Sequence, residues 1–244
     1  MKTILVLSVF HMLGDFYLQS DAIARKKQEH IGTFIIHAVI YAFCMSIIFL
    51  CAPLCPALIS WAIISVSHII IDKIRIIYDR NKEHEKKKLK SLLIDQLLHL
   101  CFIFGCYVGF MRFNSGFIHH QLYVLPWFTT VLVYISILSI IMKPTAVLVS
   151  CVFESCFHAS VKKDESKMDP GAGRWIGVLE RVIVAVLVLL NASSAIGFVL
   201  TAKSIARFKQ LEESKDFAEH YLIGTLLSVG IALGAVFLIP QLCP

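Results

Sequence analysis

The chain opens with MKTILVLSVFHMLGDFYLQSD at residues 1–21, an apolar run in which His11 and Asp15 stand four positions apart. Residues 3–10 are almost wholly apolar, and apolar residues resume after the two polar ones. An ionised aspartate near the bilayer centre costs about 3 kcal/mol on insertion scales. The stretch therefore indicates a membrane helix whose polar side chains face protein instead of lipid.

The composition of the chain also favours a membrane protein. Its 244 residues are 57% hydrophobic and 16% charged, whereas soluble domains are about 25% charged. The apolar runs reach the ~20 residues that a spanning helix needs. We therefore predict an all-α fold, a polytopic transmembrane helical bundle that forms a single integral membrane domain over residues 1–244. The net charge of +6 is attributed to membrane topology, with no nucleic-acid partner.

Apolar runs and helix breakers predict about eight spans. They are 3–20, 31–51, 57–78, 91–111, 121–142, 175–190, 194–210 and 220–240. A turn at Asn191 separates the sixth span from the seventh, and one continuous helix there would leave seven. With eight, every Lys/Arg-rich loop lies on the cytoplasmic side of an inner membrane by the positive-inside rule. Segment 144–157 fits either an interfacial helix or a re-entrant piece.

The N-terminal run also resembles a signal peptide, because Lys2 precedes an apolar stretch and Ala22-Ile23-Ala24 follows it. Polar residues interrupt the run before that point, which a signal peptide would not tolerate. We therefore expect this segment to be retained as the first helix.

Three short segments repeat the same chemistry: HMLGD at 11–15, HIIID at 68–72 and DQLLH at 95–99. Each places a histidine and an aspartate four apart, which is one face of an α-helix. A lone histidine, His37, lies in the second span. Counted from the cytoplasmic ends, the four spans present an acidic layer that includes His37 and a histidine layer ~6 Å deeper. The candidate metal ligands are His11, Asp15, His37, His68, Asp72, Asp95 and His99.

Three aspartates facing lipid would be hard to accommodate, and facing one another without a cation they would repel. A divalent cation removes both problems. Carboxylate and imidazole ligands favour zinc, with iron or manganese as alternatives, and seven candidates suffice for one or two ions. Two other interpretations stay open: histidine–aspartate pairs that only lock helices together, and a proton or ion path.

Polar residues near these groups suggest supporting roles. Gln19 and Gln96 are candidates to orient the ligands. Glu180 lies at the depth of the acidic layer and is the candidate catalytic base, although the roles of a further metal ligand and of the partner of a basic residue are also open for it. Lys203 and Arg207, four apart, either extend to lipid headgroups or bind an anion. The chain thus divides into a His/Asp half at 1–112 and a second half at 121–244.

The opening HMLGDFYLQSD, the lone His37, HIIID, DQLLH and the tail from IGVLER to EHYLIGTLLS together resemble a bacterial multi-pass membrane family catalogued as domain of unknown function 3307. The resemblance implies class and membrane location, and no activity. The His/Asp pattern is also similar to predicted membrane-bound metal-dependent hydrolases and to intramembrane zinc amidases of the ceramidase type, which is an analogy of site chemistry.

These observations lead to three hypotheses. The first is a membrane-embedded metal-dependent hydrolase that acts on a lipid or lipid-linked substrate at the cytoplasmic side. The second is a divalent-cation or proton transporter that uses the same residues. The third is a structural membrane scaffold. The chain has no HExxH or GxSxG motif, so it matches neither of those hydrolase signatures.

Overall fold

The computed structural model describes residues 2–80, 88–111, 125–156 and 170–242, and these residues form helices and turns without strands. The all-α polytopic fold is confirmed. The helices are α1 (Lys2–Met12), α2 (Asp21–Lys26), α3 (Ile31–Met45), α4 (Ile48–Cys51), α5 (Leu54–Asp79), α6 (Lys88–Cys106), α7 (Pro126–Ile141), α8 (Lys143–Cys156), α9 (Pro170–Leu189), α10 (Ser194–Ala206), α11 (Phe208–Glu213) and α12 (Lys215–Gln241). π-Helical turns extend α1 over Leu13–Tyr17 and α6 over Tyr107–Met111.

The chain is a multi-pass helical membrane protein. Within the described residues, 5 segments are long and apolar enough to cross a bilayer: Ile31–Cys51, Leu54–Asp79, Lys88–Gly109, Trp127–Ser155 and Lys215–Gln241. The other three predicted spans lie on α1, α9 and α10. α1 and α10 are shorter than a bilayer is thick, and α9 carries Arg174, Glu180 and Arg181. A total of eight spans therefore stays a prediction.

The membrane character is visible in the two faces of α5. Large apolar side chains such as Val66, Ile70 and Ile74 are exposed along one face. His68 and Asp72 are buried on the other. Because lipid solvates apolar side chains and not charged ones, this polar-inside arrangement fits a bilayer and would be unfavourable in water.

The described residues form two compact units. The first runs from the N-terminus to Ser139 and the second from Ile140 to Gln241. In the first unit, α5 packs along α6, α3 packs on α5, and α1 contacts α3 and α6. In the second, α9 packs along α12, and α8, α10 and α11 complete the group. The halves predicted at 1–112 and 121–244 stay a prediction.

Two further predictions concern a turn and a helix of the second unit. The turn between α9 and α10 is present, and Asn191 adopts the left-handed region with φ 57°, which asparagine tolerates better than most residues. Segment 144–157 is helical as α8, which follows α7 after Met142 and with it makes up the 29-residue candidate span. Whether α8 enters the bilayer stays a prediction.

Candidate metal centre

The candidate metal centre begins with two antiparallel neighbours, α5 and α6. Each carries its histidine and aspartate one helical turn apart, so both side chains share a face. His68, Asp72, Asp95 and His99 are all nearly fully buried, at 1–2% exposure. Helix packing thus brings two of the three sequence pairs together in the interior of the first unit.

The third pair lies where α1 changes into a π-helical turn. His11 is the last-turn residue of α1 and Asp15 lies within the π turn, and both are buried. Gly14 lets α3 approach this turn closely. A Cβ at Gly14 would lie 3.1 Å from Tyr41 Cδ2 and 3.3 Å from Cys44 Cβ, so any larger residue would push the two helices apart.

Four ligand atoms converge on one point at the centre of the unit. Asp15, His37, His68 and Asp72 each offer an atom within 4.8 Å of the other three. His37 Nε2 lies 3.2 Å from His68 Nε2, 3.3 Å from Asp72 Oδ2 and 3.6 Å from Asp15 Oδ1. Ligand atoms bound tetrahedrally at about 2.0–2.1 Å are separated by about 3.3 Å. These separations match the edges of a four-coordinate metal site.

A chain of hydrogen bonds fixes the orientation of His68. His99 Nδ1 lies 2.8 Å from the Asp95 carbonyl oxygen, which can only accept, so His99 Nδ1 carries a proton. A neutral His99 then accepts at Nε2 from His68 Nδ1, at 2.7 Å. His68 therefore directs the lone pair of Nε2 toward His37 and Asp72. This is the tautomer that a metal ligand needs, held by a second histidine.

A second group of candidate ligands consists of Asp72, Asp95 and His99. Both ring nitrogens of His99 are already used, one by His68 and one by the Asp95 carbonyl. Asp95 Oδ1 is buried and has no hydrogen-bond partner among the described residues. Because neither nitrogen of His99 is available, the geometry supports an ion at the first group better than at the second, even though Asp95 Oδ1 could accept a further contact.

Two basic side chains that were not predicted to belong to the cluster contact its aspartates. Lys27 Nζ lies 2.7 Å from Asp72 Oδ2, and Arg75 Nη1 lies 2.8 Å from Asp95 Oδ2. The aspartates therefore repel one another less than predicted, because part of their charge is balanced within the protein. Arg75 follows Asp72 by three residues on one helix face, a detectable signal. Lys27 lies after the end of α2, where there is no helical periodicity from which its contact with Asp72 could be predicted.

His11 is buried beside the four-ligand group but belongs to neither candidate group. Its Nε2 lies 3.2 Å from Gln96 Oε1, and its Nδ1 lies 2.9 Å from the Tyr41 hydroxyl. Because Gln96 Oε1 only accepts, His11 donates at Nε2 and accepts from Tyr41 at Nδ1. The role of His11 as a metal ligand stays a prediction, and its contacts are those of a supporting residue.

Tyr41 is the third residue that the sequence analysis missed. Besides its contact with His11, its ring stacks on His68, with centroids 3.5 Å apart and an interplanar angle of 4°. It follows His37 by four residues and shares its helix face, which was an available signal.

Both glutamines singled out in the sequence lie in this network. Gln96 Nε2 donates to Asp15 Oδ2 at 2.8 Å and to Asp95 Oδ2 at 3.0 Å, so one amide joins α1 to α6. Gln19 Oε1 accepts from Lys27 Nζ at 3.0 Å. Gln96 thus orients two carboxylates directly, while Gln19 acts on Asp72 through Lys27.

An apolar groove reaches the edge of this cluster. Its volume is about 150 Å³, and α5 and α6 line it with side chains that include Ile74, Ile94 and Leu98. Arg75 and Asp95 also line it. The groove therefore leads from an apolar surface suited to an acyl chain to the ion pair between Arg75 and the buried Asp95.

The remaining predicted site residues lie in the second unit. Glu180 is buried and forms an ion pair with Lys203, whose Nζ lies 2.5 Å from Glu180 Oε2. Lys203 also donates to Thr225 Oγ1 at 2.9 Å. Arg207 donates to Gln210 at 3.2 Å. All three predicted residues line one cavity of this unit. Their catalytic and anion-binding roles stay predictions.

Comparison with known proteins gives one family. The sequence profile described as Protein of unknown function (DUF3307) matches residues 3–129, which include all seven candidate metal ligands. Neither a curated protein nor a solved structure matches the chain.

Proposed function

We propose that this chain, which belongs to the family described as Protein of unknown function (DUF3307), is a membrane-embedded metal-dependent hydrolase that holds one divalent ion. The observation that carries the proposal is the position of His37 Nε2. It lies 3.2, 3.3 and 3.6 Å from ligand atoms of three other buried side chains. Such spacing fits ligands around one ion, whereas a single proton on His37 Nε2 could not serve all three of these acceptors fully.

Three of the four residues are assigned as ligands: His37, His68 and Asp72. Hydrolytic zinc sites characteristically use three protein ligands and leave one position open, and two histidines with one carboxylate are a known set. The same donors suit iron or manganese. When bound, such a cation makes a coordinated water a stronger acid.

Asp15 is assigned as the general base. Its Oδ1 lies 3.6 Å from His37 Nε2, at the fourth corner of the group, where it can accept a proton from water. Its Oδ2 is held by Gln96 at 2.8 Å, so the carboxylate is oriented. We prefer Asp15 to Glu180 for this role, because Asp15 belongs to the His/Asp cluster and Glu180 is already paired with Lys203.

A lipid or lipid-linked substrate is supported by the groove between α5 and α6. Its apolar walls continue to Arg75, whose guanidinium can contact an anionic ester as well as Asp95. Substrates that reside in the bilayer reach such a groove without entering water. By the positive-inside rule, the lysine-rich loop between α5 and α6 lies in the cytoplasm, so the inner leaflet supplies the substrate.

The decisive test compares metal content and hydrolysis in matched variants of the purified protein. Asp72→Asn removes a ligand, and Asp79→Asn is its control, about two turns further along α5 and outside both ligand groups, where it pairs with Arg75. We expect stoichiometric metal in wild type and Asp79→Asn by elemental analysis, and none in Asp72→Asn. A wild-type protein without metal after dialysis against zinc, iron and manganese would overturn the proposal.

Asp15→Asn then separates ligand from base. As a base, Asp15 can be replaced with the metal retained, while release of phosphate or fatty acid from a lipid extract falls by about 10²–10⁴-fold. Loss of metal in Asp15→Asn would make it a fourth ligand and close the site to water. Metal flux into proteoliposomes without lipid hydrolysis would instead identify a transporter.

A further inference from the structure

The apolar groove between α5 and α6 runs along both helices from the end that adjoins their connecting loop. Tyr78 and Lys90 line it at that end, and Ile71 and Leu98 line it at the other. At 1.5 Å per residue, the groove extends about 10–12 Å along the helix axes. We name it the α5/α6 groove. By the positive-inside rule, its Lys90 end lies at the cytoplasmic headgroups of the bilayer.

The walls of the α5/α6 groove are apolar and accessible from the bilayer. Ile74, Ile94 and Leu98 line it, and 62%, 46% and 41% of their surfaces are exposed. The groove volume of about 150 Å³ lies below the roughly 300–1,000 Å³ of sites that enclose a whole ligand. The groove therefore suits one acyl chain that lies along the helices, and not a pair of chains.

Arg75 offers hydrogen-bond donors to a ligand in the middle of this groove. Its side chain is 28% exposed, and two of its nitrogens face aspartates: Nη1 lies 2.8 Å from Asp95 Oδ2, and Nε lies 3.5 Å from Asp79 Oδ2. The third nitrogen, Nη2, has no partner among the residues that the structure describes. A guanidinium has more N–H groups than these contacts use, so Arg75 can bind ligand oxygens while it keeps both ion pairs.

Asp95 offers the complementary group, a hydrogen-bond acceptor. It lines the groove beside Arg75 and is buried, at 2% exposure. Its Oδ2 accepts from Arg75 and from Gln96, whereas its Oδ1 has no hydrogen-bond partner within the described parts of the chain. A buried carboxylate oxygen without a donor is unfavourable. A ligand hydroxyl beside Arg75 would supply this donor.

Lys90 places a cation where the groove meets the headgroups, and lysine is a common phosphate-binding residue. It is exposed near the start of α6, and Asp95 lies about 7.5 Å further along that helix. A phosphate at Lys90 would therefore place the adjoining glycerol beside Arg75 and Asp95, and an acyl chain along Ile94 and Leu98. This order of cation, hydrogen-bonding pair and apolar wall matches the order of phosphate, glycerol and acyl chain in a phospholipid.

We infer that the α5/α6 groove binds a glycerophospholipid with one acyl chain. Its phosphate contacts Lys90, its ester oxygen accepts from Arg75, and its free hydroxyl donates to Asp95 Oδ1. A glycerophospholipid with two chains lacks that hydroxyl, because a second ester occupies its position. The inference names the substrate class of the groove and rests on the proposed hydrolase for its catalytic meaning, whereas the binding itself requires no metal.

The test is calorimetric titration of the full-length protein in neutral detergent with short-chain probes. These are a monoacylglycerol phosphate, its methyl ether at the free hydroxyl, the diacylglycerol phosphate, and the monoacylglycerol without phosphate. Leu98→Trp fills the groove, and Leu97→Trp is its matched control, since Leu97 is 61% exposed and lies outside the groove. Lys90→Gln removes the cation, and Lys73→Gln is its control on α5, where Lys73 Nζ lies 5.6 Å from the Phe34 ring centroid.

We expect the monoacylglycerol phosphate to bind wild type and both control variants alike, and to bind Leu98→Trp and Lys90→Gln about tenfold more weakly. The other three probes should each bind wild type about tenfold more weakly, because each lacks the hydroxyl or the phosphate. The inference is overturned if the monoacylglycerol phosphate does not bind, if its methyl ether or the diacyl lipid binds as tightly, or if Leu97→Trp weakens binding as much as Leu98→Trp.

Metal analysis of the same samples separates this inference from the proposed function. Lipid binding with the expected specificity in a protein that holds no metal would support the inference and reject the hydrolase. Stoichiometric metal without binding of any probe would reject the inference and leave the metal centre in place.

Discussion

The first and second units both bury charged side chains, but they arrange them differently. In the His/Asp cluster of the first unit, three aspartates face Lys27 and Arg75, so negative charge remains, and several candidate ligand atoms converge. In the second unit, Glu180 is paired with Lys203, and Arg181 donates to the carbonyl oxygens of Ile141 and Met142.

The two units show the difference between charge that an ion pair already balances and charge that remains available to a ligand. A salt bridge such as Lys27–Asp72 or Lys203–Glu180 offsets part of the cost of burying its own members, and by itself predicts no ligand. The excess charge that remains predicts the sign of the ligand. The first unit is therefore suited to a cation. The variants below test whether the cluster depends on this excess and what the ion pair of the second unit contributes.

The largest effect is expected for His37→Ala. Because His37 Nε2 contacts three other candidate ligand groups, its loss should lower metal affinity by about 100-fold or more. His30→Ala is the matched control, since His30 is exposed just before the start of α3. Elemental analysis after equilibrium dialysis measures the effect. Equal metal in both variants would show that the cluster is only structural.

Lys27→Gln is expected to act in the opposite direction. Lys27 Nζ lies 2.7 Å from Asp72 Oδ2, the oxygen that faces the candidate metal. Removing this competing positive charge should raise metal affinity by about tenfold, because like charges at short range repel. Lys26→Gln removes an exposed neighbouring charge and should leave the affinity unchanged. A weaker affinity in Lys27→Gln would show that Lys27 positions Asp72 for binding.

Glu180→Gln is the corresponding change in the second unit. The variant should melt at a lower temperature than wild type, because Glu180 is buried and Lys203 loses its charged partner, while metal content stays constant. Glu213→Gln is the control, since Glu213 is exposed where it pairs with Lys209, and its melting temperature should not change. Equal melting temperatures in the two variants would show that the Lys203–Glu180 pair does not stabilise the second unit.

The smallest effect is expected for Tyr41→Phe. The ring that stacks on His68 is kept, while the hydroxyl 2.9 Å from His11 Nδ1 is lost. One hydrogen bond contributes about 1 kcal/mol, which corresponds to about 2–4 °C in melting temperature. Metal content should be retained. Complete loss of metal in this conservative variant would place Tyr41 and His11 at the metal itself.

The sequence predicted the cluster well because the signal was local. A histidine and an aspartate four apart share a helix face, and α5 and α6 carry their pairs as expected. It predicted the turn at Asn191 for the same reason, since asparagine favours the left-handed backbone. The start of the sixth span was predicted at 175, but the helix begins earlier, at Pro170, because proline is favoured at the first position of a helix.

The supporting residues were harder to predict. The charge of Lys27 was attributed to membrane topology with that of the other basic loop residues, yet its long side chain reaches Asp72 from outside the helices. His11 shares a motif with Asp15, yet its two nitrogens are taken by Tyr41 and Gln96. Which partner a side chain finds depends on helix rotation and on close approaches such as that at Gly14, and neither is encoded in spacing along the chain.

The sequence by itself determined that this protein is a helical membrane protein with seven buried imidazole and carboxylate groups, because hydropathy and four-residue spacing are local properties. Only the tertiary structure decided which of these groups face one another, which nitrogen of His68 is a lone pair, and how far Lys27 and Arg75 neutralise the aspartates. These properties depend on the relative rotation of α1, α3, α5 and α6, which is set by packing between residues far apart in the chain.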